Sequence, residues 1–250
     1  MSSNLTDTLL SLAHGEERAV LFTVVEGEQE VGRKLLVLTD GGEVVGDDPL
    51  ELAPLAAGIR RSGLLEHRGL KVFAEVFGPP PRLVVVGAVD TGEALCAAAK
   101  ALGWHTICVD ARARYATPKR MPSADEIVVE WPEPAFEQIV LDRDTAVVVL
   151  THDDKFDIPA LATALRTEAF YVGALGSRRA QAKRRERLLE SGVTEEQLAR
   201  LRGPAGLDVG AETPAETAVS ILAEALALRA GRLGGPLRDS ADRIHVERDA

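Results

Sequence analysis

The chain has 250 residues, 46% apolar and 27% charged, enough for one large domain or two smaller ones with real cores. Its net charge of −10, from 29 basic and 39 acidic side chains, opposes nucleic acid, so no such partner is expected. Its two cysteines, Cys96 and Cys108, lie in apolar stretches, which argues against a disulfide framework or a cysteine-rich metal site, and no stretch reaches the roughly 20 apolar residues of a membrane span. Residues 1–12 lack the basic region and apolar run of a leader, so a cytoplasmic protein is expected.

Residues 1–78 read as a small α/β domain. A helix is expected over 5–13, strands over 18–25 and 34–39, a hairpin turn at Asp40-Gly41-Gly42, and its return strand over 43–45. A helix over 49–65 and a closing strand over 70–77 complete the unit. After Gly78, the three prolines Pro79, Pro80 and Pro81 remove backbone donors and hold the chain extended, which marks the boundary.

Residues 79–230 alternate strand and helix, the pattern of a Rossmann-like, doubly wound parallel sheet covered on both faces. The strands are expected over 83–86, 106–109, 126–130, 145–150 and 169–173. A helix over 91–102 presents Leu95, Ala98, Ala99 and Leu102 on one face and stops at Gly103. Further helices are expected over 134–141, 158–168 and 177–190. The capping box Thr213-Pro214-Ala215-Glu216 opens another, running to about 228. The glycine- and charge-rich residues 231–250 read as a mobile tail or extended arm.

Four segments fall where such a sheet binds ligands, beyond the carboxyl ends of its strands. In the first, Gly87 and Gly92 occupy the first and third places of the three-glycine dinucleotide turn, with Ala88 and Val89 between Gly87 and Asp90. Val89 stands where a pyrophosphate needs bare backbone, and the Asp90 carboxylate would repel a diphosphate unless turned away. Asp110, 18 residues after Gly92, is placed to accept from ribose hydroxyls. Arg112 and Arg114 read equally as phosphate contacts or as solvated loop residues.

The second segment, Thr151-His152-Asp153-Asp154-Lys155-Phe156-Asp157, makes His152 a candidate proton-transfer or orienting group with Asp153 beside it. One of these aspartates is expected to cap the helix that starts near Phe156. The third runs from Tyr171 through Gly173 and Gly176 to Ser177, Arg178 and Arg179. The glycines permit close backbone approach there, and amides at a helix start with two arginines make an anion site. The basic run after it, including Lys183, Arg184, Arg185 and Arg187, reads as a solvated face or docking surface. In the fourth, two glycines, Gly206 and Gly210, frame Asp208 ahead of Glu212 and the last helix. The segment is either loop and cap structure or a ligand contact.

These segments resemble the XdhC/CoxI family of accessory proteins for xanthine dehydrogenase and carbon monoxide dehydrogenase maturation. The match is carried by Val86-Gly87-Ala88 with Val109-Asp110-Ala111-Arg112, the stretches 116–125 and 150–153, Gly173-Ala-Leu-Gly-Ser-Arg-Arg179, and residues 206–220. The resemblance implies a small N-terminal domain, a Rossmann-like C-terminal domain, homodimerisation, and binding of molybdenum cofactor for delivery to an apo-molybdoenzyme client. It places molybdopterin or its dinucleotide at the first turn, the Thr-His-Asp loop, the Gly-Ser-Arg-Arg turn and the Gly-Leu-Asp segment. Better-known members carry a serine- and glycine-rich loop ending in cysteine where this chain has Gly46-Asp47-Asp48-Pro49-Leu50-Glu51, so no thiolate is expected from it. Two alternatives stand beside this reading: an NAD(P) oxidoreductase with His152 as proton donor, and an adaptor without catalysis.

Overall fold

A computed structural model describes residues 2–12, 17–27, 30–39, 41–240 and 248–249. The chain divides into two compact units: one runs to Pro79 and takes in the described residues from Pro236 onward, and the other is Pro80–Gly235.

The first unit opens with helix α1 (Ser2–Leu12), followed by strands β1 (Ala19–Glu26), β2 (Lys34–Leu38) and β3 (Val44–Val45). Strand β1 lies between β2 and β5 (Leu70–Phe77), antiparallel to both. Of the expected elements here, Ala13 of the first helix and Asp40 of the hairpin turn lie outside the described residues. The helix expected over 49–65 does not form. Asp48 instead accepts from the amides of Leu52 (2.7 Å) and Ala53 (2.8 Å), a single 3-10 segment follows at Ala53–Gly58, and strand β4 (Gly63–His67) pairs antiparallel with β5. The β4–β5 turn places Arg68 and Gly69 at φ +50° and +76°, the doubly left-handed conformation that matches strand twist in two-residue hairpins. Pairing with β5 thus takes the end of the expected helix as a strand. One face of this sheet packs Val20, Phe22, Val24, Leu35, Leu65 and Val72, and the other meets Leu12 of α1. The short strand β12 (Arg248–Asp249) adds in parallel to β4, and residues 241–247 of the expected tail lie outside the described residues.

The second unit follows the expected alternation: β6 (Arg82–Val86), α2 (Asp90–Ala101), β7 (His105–Val109), β8 (Glu126–Val128), α3 (Pro132–Gln138), β9 (Thr145–Val149), α4 (Asp154–Arg166), β10 (Tyr171–Ala174) and α5 (Arg178–Glu190). Then come a one-turn helix α6 (Glu195–Leu198), a sixth strand β11 (Leu201–Arg202) and helix α7 (Pro214–Arg229). Strand β11 is too short for periodicity to register, and α6 is marked only by its capping box of Thr194 and Gln197. All six strands are parallel, in the order β11-β10-β9-β6-β7-β8, which is the dinucleotide-fold order with β6 at the centre. The sheet is buried on both faces. Val84, Val86, Val147 and Leu161 belong to one core cluster, and Leu83, Val85, Leu95 and Ile221 to the other. Within α2, Gly92, Leu95, Cys96 and Ala99 form the buried face, while Leu102 caps the helix and is exposed, contrary to the expected apolar stripe.

Gly92 performs the packing expected of the third glycine. A Cβ there would stand 2.7 Å from the Gly87 carbonyl oxygen and 3.1 Å from Val85 Cγ1, contacts that only a shift of α2 off the sheet would relieve. Gly92→Ala is expected to destabilise the protein by about 1–3 kcal/mol, the usual cost of overpacking, as read by urea denaturation. An unchanged midpoint would show that α2 is free to shift at no cost.

Candidate functional site

In this strand order the chain leaves β6 towards β7 on one side and later returns to β9 on the other, so a crevice opens beyond the carboxyl ends of β6 and β9. The Gly87 turn and the Thr151 loop meet there. Gly87 has φ +118°, and a Cβ on it would stand 2.9 Å from Thr151 Cγ2. The strand–turn–helix is therefore built around glycine, as its sequence indicates.

The amides of this turn are already engaged. Gly87 N–H donates to the Val109 carbonyl (2.9 Å), Ala88 N–H to Asp110 Oδ2 (2.8 Å), and Val89 N–H to the Gly87 carbonyl (2.9 Å). Asp110 is 1% exposed and does not look out at a ribose. Besides Ala88 it accepts from Arg112, through the backbone amide and Nε on Oδ1 (both 2.9 Å) and Nη2 on Oδ2 (2.7 Å). Burial pushes its pKa up, but the guanidinium and the two amides outweigh burial and hold the carboxyl below its ordinary range. Val89 packs its side chain against the buried cluster beneath the turn. Asp90 is turned out to solvent, 87% exposed, with Arg120 Nη2 at 3.5 Å. With Glu93 it puts two carboxylates in the first turn of α2, where they offset the positive helix end.

The Thr151 loop is tied inward by a buried ion pair. Thr151 donates its hydroxyl to Asp157, and Arg184 Nη2 of α5 bonds the other Asp157 oxygen at 2.7 Å. Burial pushes the Asp157 carboxyl up, against the opposing pull of Thr151, Arg184 and His152. Arg184, 5% exposed, is no part of a solvated basic face. Its Nη1 donates to the Leu175 carbonyl (3.1 Å) and to Gln181 (2.6 Å), which fixes the approach to the next turn. Arg185 and Arg187 of the same run pair with Glu195 and Asp154. His152 and Asp153 are both exposed. Asp153 is the N-cap of α4, accepting from the Lys155 amide at 3.0 Å, so it supplies the expected cap.

At the third segment the two glycines differ. The space over Gly173, read from sequence as room for a ligand, is filled by its own strand: a Cβ there would lie 2.6 Å from the Tyr171 ring. That ring is held by its hydroxyl donating to Glu224 (2.6 Å), which also accepts from the Gly206 amide (2.8 Å) and so anchors the fourth segment. Gly176, at φ +129°, makes the turn into α5. Ser177 caps that helix by accepting from the Ala180 amide (3.2 Å), and Arg178 and Arg179 are exposed in a first turn that holds no acidic residue. Asp208 is exposed on the anchored Gly206–Gly210 loop.

The structure therefore joins Gly87, Ala88, Asp110, Arg112 and Thr151 into one edge, with Gly176, Ser177 and Arg178 linked to it through Asp157 and Arg184. The same edge carries residues that sequence reading passed over. Arg112 Cζ lies 4.7 Å from the Tyr115 ring centre and 5.6 Å from that of Phe156, and Phe156 stacks on Trp131 at 4.4 Å and 13°. A tryptophan shortly after a strand's carboxyl end was the available signal.

With this geometry in view, the chain compares with known proteins as follows. The XdhC Rossmann domain profile matches residues 83–225, more than half the chain. The chain belongs to the XdhC family. It is 33% identical over 186 residues to YqeB of Escherichia coli, covering 72% of this chain and 34% of that protein. It is 32% identical over 158 residues to a Bacillus subtilis protein named as a probable subunit of xanthine dehydrogenase (63% and 46%). It is 38% identical over 96 residues to the molybdenum cofactor insertion chaperone PaoD of Escherichia coli (38% and 30%). The chain thus spans less than half the length of these relatives. A crystal structure described as a xanthine dehydrogenase from Bacillus halodurans superposes with a TM-score of 0.55 at 19% identity, over 94% of this chain and 97% of that one, a likeness of fold. No described helix is long and apolar enough to cross a membrane.

Asp110 makes a pH prediction. Its folded pKa lies below the ordinary 3.8, so its contribution to stability is fully present above that value and is lost as pH falls through the lower folded value. Asp110→Ala leaves the Ala88 amide without its partner and is expected to cost about 1–3 kcal/mol at pH 7. Chemical denaturation of both proteins from pH 7 to pH 3 checks it: the gap should narrow at the acid end, and a constant gap would contradict the ionic role.

Proposed function

We propose that this protein binds molybdenum cofactor, as molybdopterin or its dinucleotide, and hands it to an apo-molybdoenzyme of the xanthine dehydrogenase or carbon monoxide dehydrogenase type. The observation that carries this reading is the match to PaoD, a molybdenum cofactor insertion chaperone, within a chain of the XdhC family. A homodimer acting in the cytoplasm belongs to the same reading, from the family resemblance.

The residues of the carboxyl edge fit the organic, phosphate-bearing part of such a cofactor. The α5 turn offers Ser177, Arg178, Arg179 and the amides of a helix start free of acidic side chains, a setting that favours phosphate. The Gly87 turn is the poorer phosphate site, because Gly87, Ala88 and Val89 direct their amides to protein acceptors and two carboxylates stand at the start of α2. The same facts weigh against the NAD(P) alternative, which needs those amides for a pyrophosphate. The metal end of the cofactor finds no thiolate here: Cys96 and Cys108 are buried, and burial pushes the Cys96 thiol up to about 12 and raises that of Cys108 as well. The cofactor's redox chemistry is exercised in the client, and this chain's part is to bind, orient and release. In this role His152 and Asp153 face the bound molecule from the exposed loop after β9, and Arg112, fixed by Asp110, borders it. Asp208 is a further candidate contact.

Arg178→Ala is expected to weaken binding of inorganic pyrophosphate or a phosphorylated pterin by about 1.5–3 kcal/mol, the scale of a charge-assisted hydrogen bond, measured by titration calorimetry. Unchanged affinity would remove the α5 turn from the site.

A further inference from the structure

Aromatic residues make up only 4% of this chain, yet three of them gather at the carboxyl edge of the parallel sheet with a guanidinium among them. Tyr115 comes from the loop after β7, Trp131 follows β8, and Phe156 lies in the first turn of α4 after β9. Arg112 stands over both Tyr115 and Phe156, and Phe156 stacks on Trp131, so the four side chains form one continuous row: Tyr115, Arg112, Phe156, Trp131. Arg114 and Arg120 flank the Tyr115 end, their guanidinium carbons 4.6 and 5.2 Å from its ring centre.

Two features set this row apart from ordinary core packing. Phe156 is buried, but Trp131, stacked against it, is 46% exposed, so the row ends at an indole open to solvent. Arg112 is also preorganised, because the buried Asp110 carboxylate grips it through two guanidinium nitrogens and its backbone amide. An indole backed by a second ring and a fixed cation is a stacking platform for a flat, electron-poor heterocycle. The first turn of α4 also joins this row to the α5 turn: Phe156 faces Trp131, while the neighbouring Asp157 bonds Arg184 of α5.

We propose that the row Tyr115–Arg112–Phe156–Trp131 is the subsite for the ring of a phosphorylated heteroaromatic ligand, with that ring stacked on the open indole of Trp131. The pterin and the nucleobase of a dinucleotide share this chemistry, and the inference rests on the cofactor-binding reading above. It adds the residues that take the ring.

The chain's own fluorescence provides the test, because it holds two tryptophans and Trp104 is 4% exposed, leaving Trp131 as the accessible one. The full-length protein is titrated separately with a pterin, with cytidine and guanosine monophosphates, and with inorganic pyrophosphate, following tryptophan emission and binding heat. At least one ring compound should bind saturably and quench emission, and whether it is the pterin or a nucleotide identifies the source of the ring. Pyrophosphate should bind without quenching. Trp131→Leu should weaken the ring compound about tenfold and leave pyrophosphate unchanged, while Trp131→Phe should stay within about threefold of the parent. Near-ultraviolet circular dichroism of both variants checks that the fold is retained. If Trp131→Leu binds the ring compound as tightly as the parent, the subsite is overturned and the cofactor-binding reading stands. If the parent binds no ring compound at all, both fall.

Discussion

A single buried carboxylate organises the carboxyl edge of the parallel sheet in this protein. Asp110 directly follows β7, the second strand in chain order of a six-stranded parallel sheet, where a dinucleotide-binding protein would turn an acidic residue outward to a ribose. Here the group faces inward, accepts from the Ala88 amide, and clamps Arg112. An ionised group in so little water persists only when its lone pairs are filled, and these contacts fill them. Two consequences follow for the edge. The central turn loses an amide that a phosphate would use, and Arg112 is held ready beside Tyr115 and Phe156.

The neighbouring ion pair of Asp157 and Arg184 works on the same edge from the other side of the switch point. Removing one partner of a buried pair leaves the other charge stranded, so the pair is a strong structural constraint whatever its net contribution to stability. It fastens α4 to α5 and, through the Leu175 carbonyl, sets the entry to the Gly176 turn. The anion-favouring helix start of α5 is therefore positioned by a charge network that reaches back to Thr151.

Much of this was legible in the residues. Gly87 and Gly92 announced a strand turning into a helix, and the capping box at Thr213 and Glu216 is present with both its reciprocal bonds. The alternation of apolar strands with helices pointed to the sheet. Failures arose where long-range contacts decided between local options. The stretch 49–65 reads as one helix, but pairing with β5 makes its end, from Gly63, a strand. Gly173 looked like room for a ligand because sequence cannot reveal that the Tyr171 ring occupies that space. Arg184 sits in a run of basic residues, and only the packing of α5 on α4 separates this buried arginine from its solvated neighbours. The aromatic row escaped notice because its members lie far apart in sequence and meet only through the order of β7, β8 and β9.

If the Asp110 network closes the glycine turn as its hydrogen bonds imply, ligand phosphate goes to the α5 start and not to the turn that gives the fold its signature. Amide chemical-shift mapping on the isotopically labelled protein, titrated with pyrophosphate, reads both places at once. Saturable shifts are expected at Gly176, Ser177, Arg178 and Arg179, with the amides of Gly87, Ala88 and Val89 unmoved. Shifts centred on the Gly87–Gly92 turn, with the α5 start silent, would contradict it.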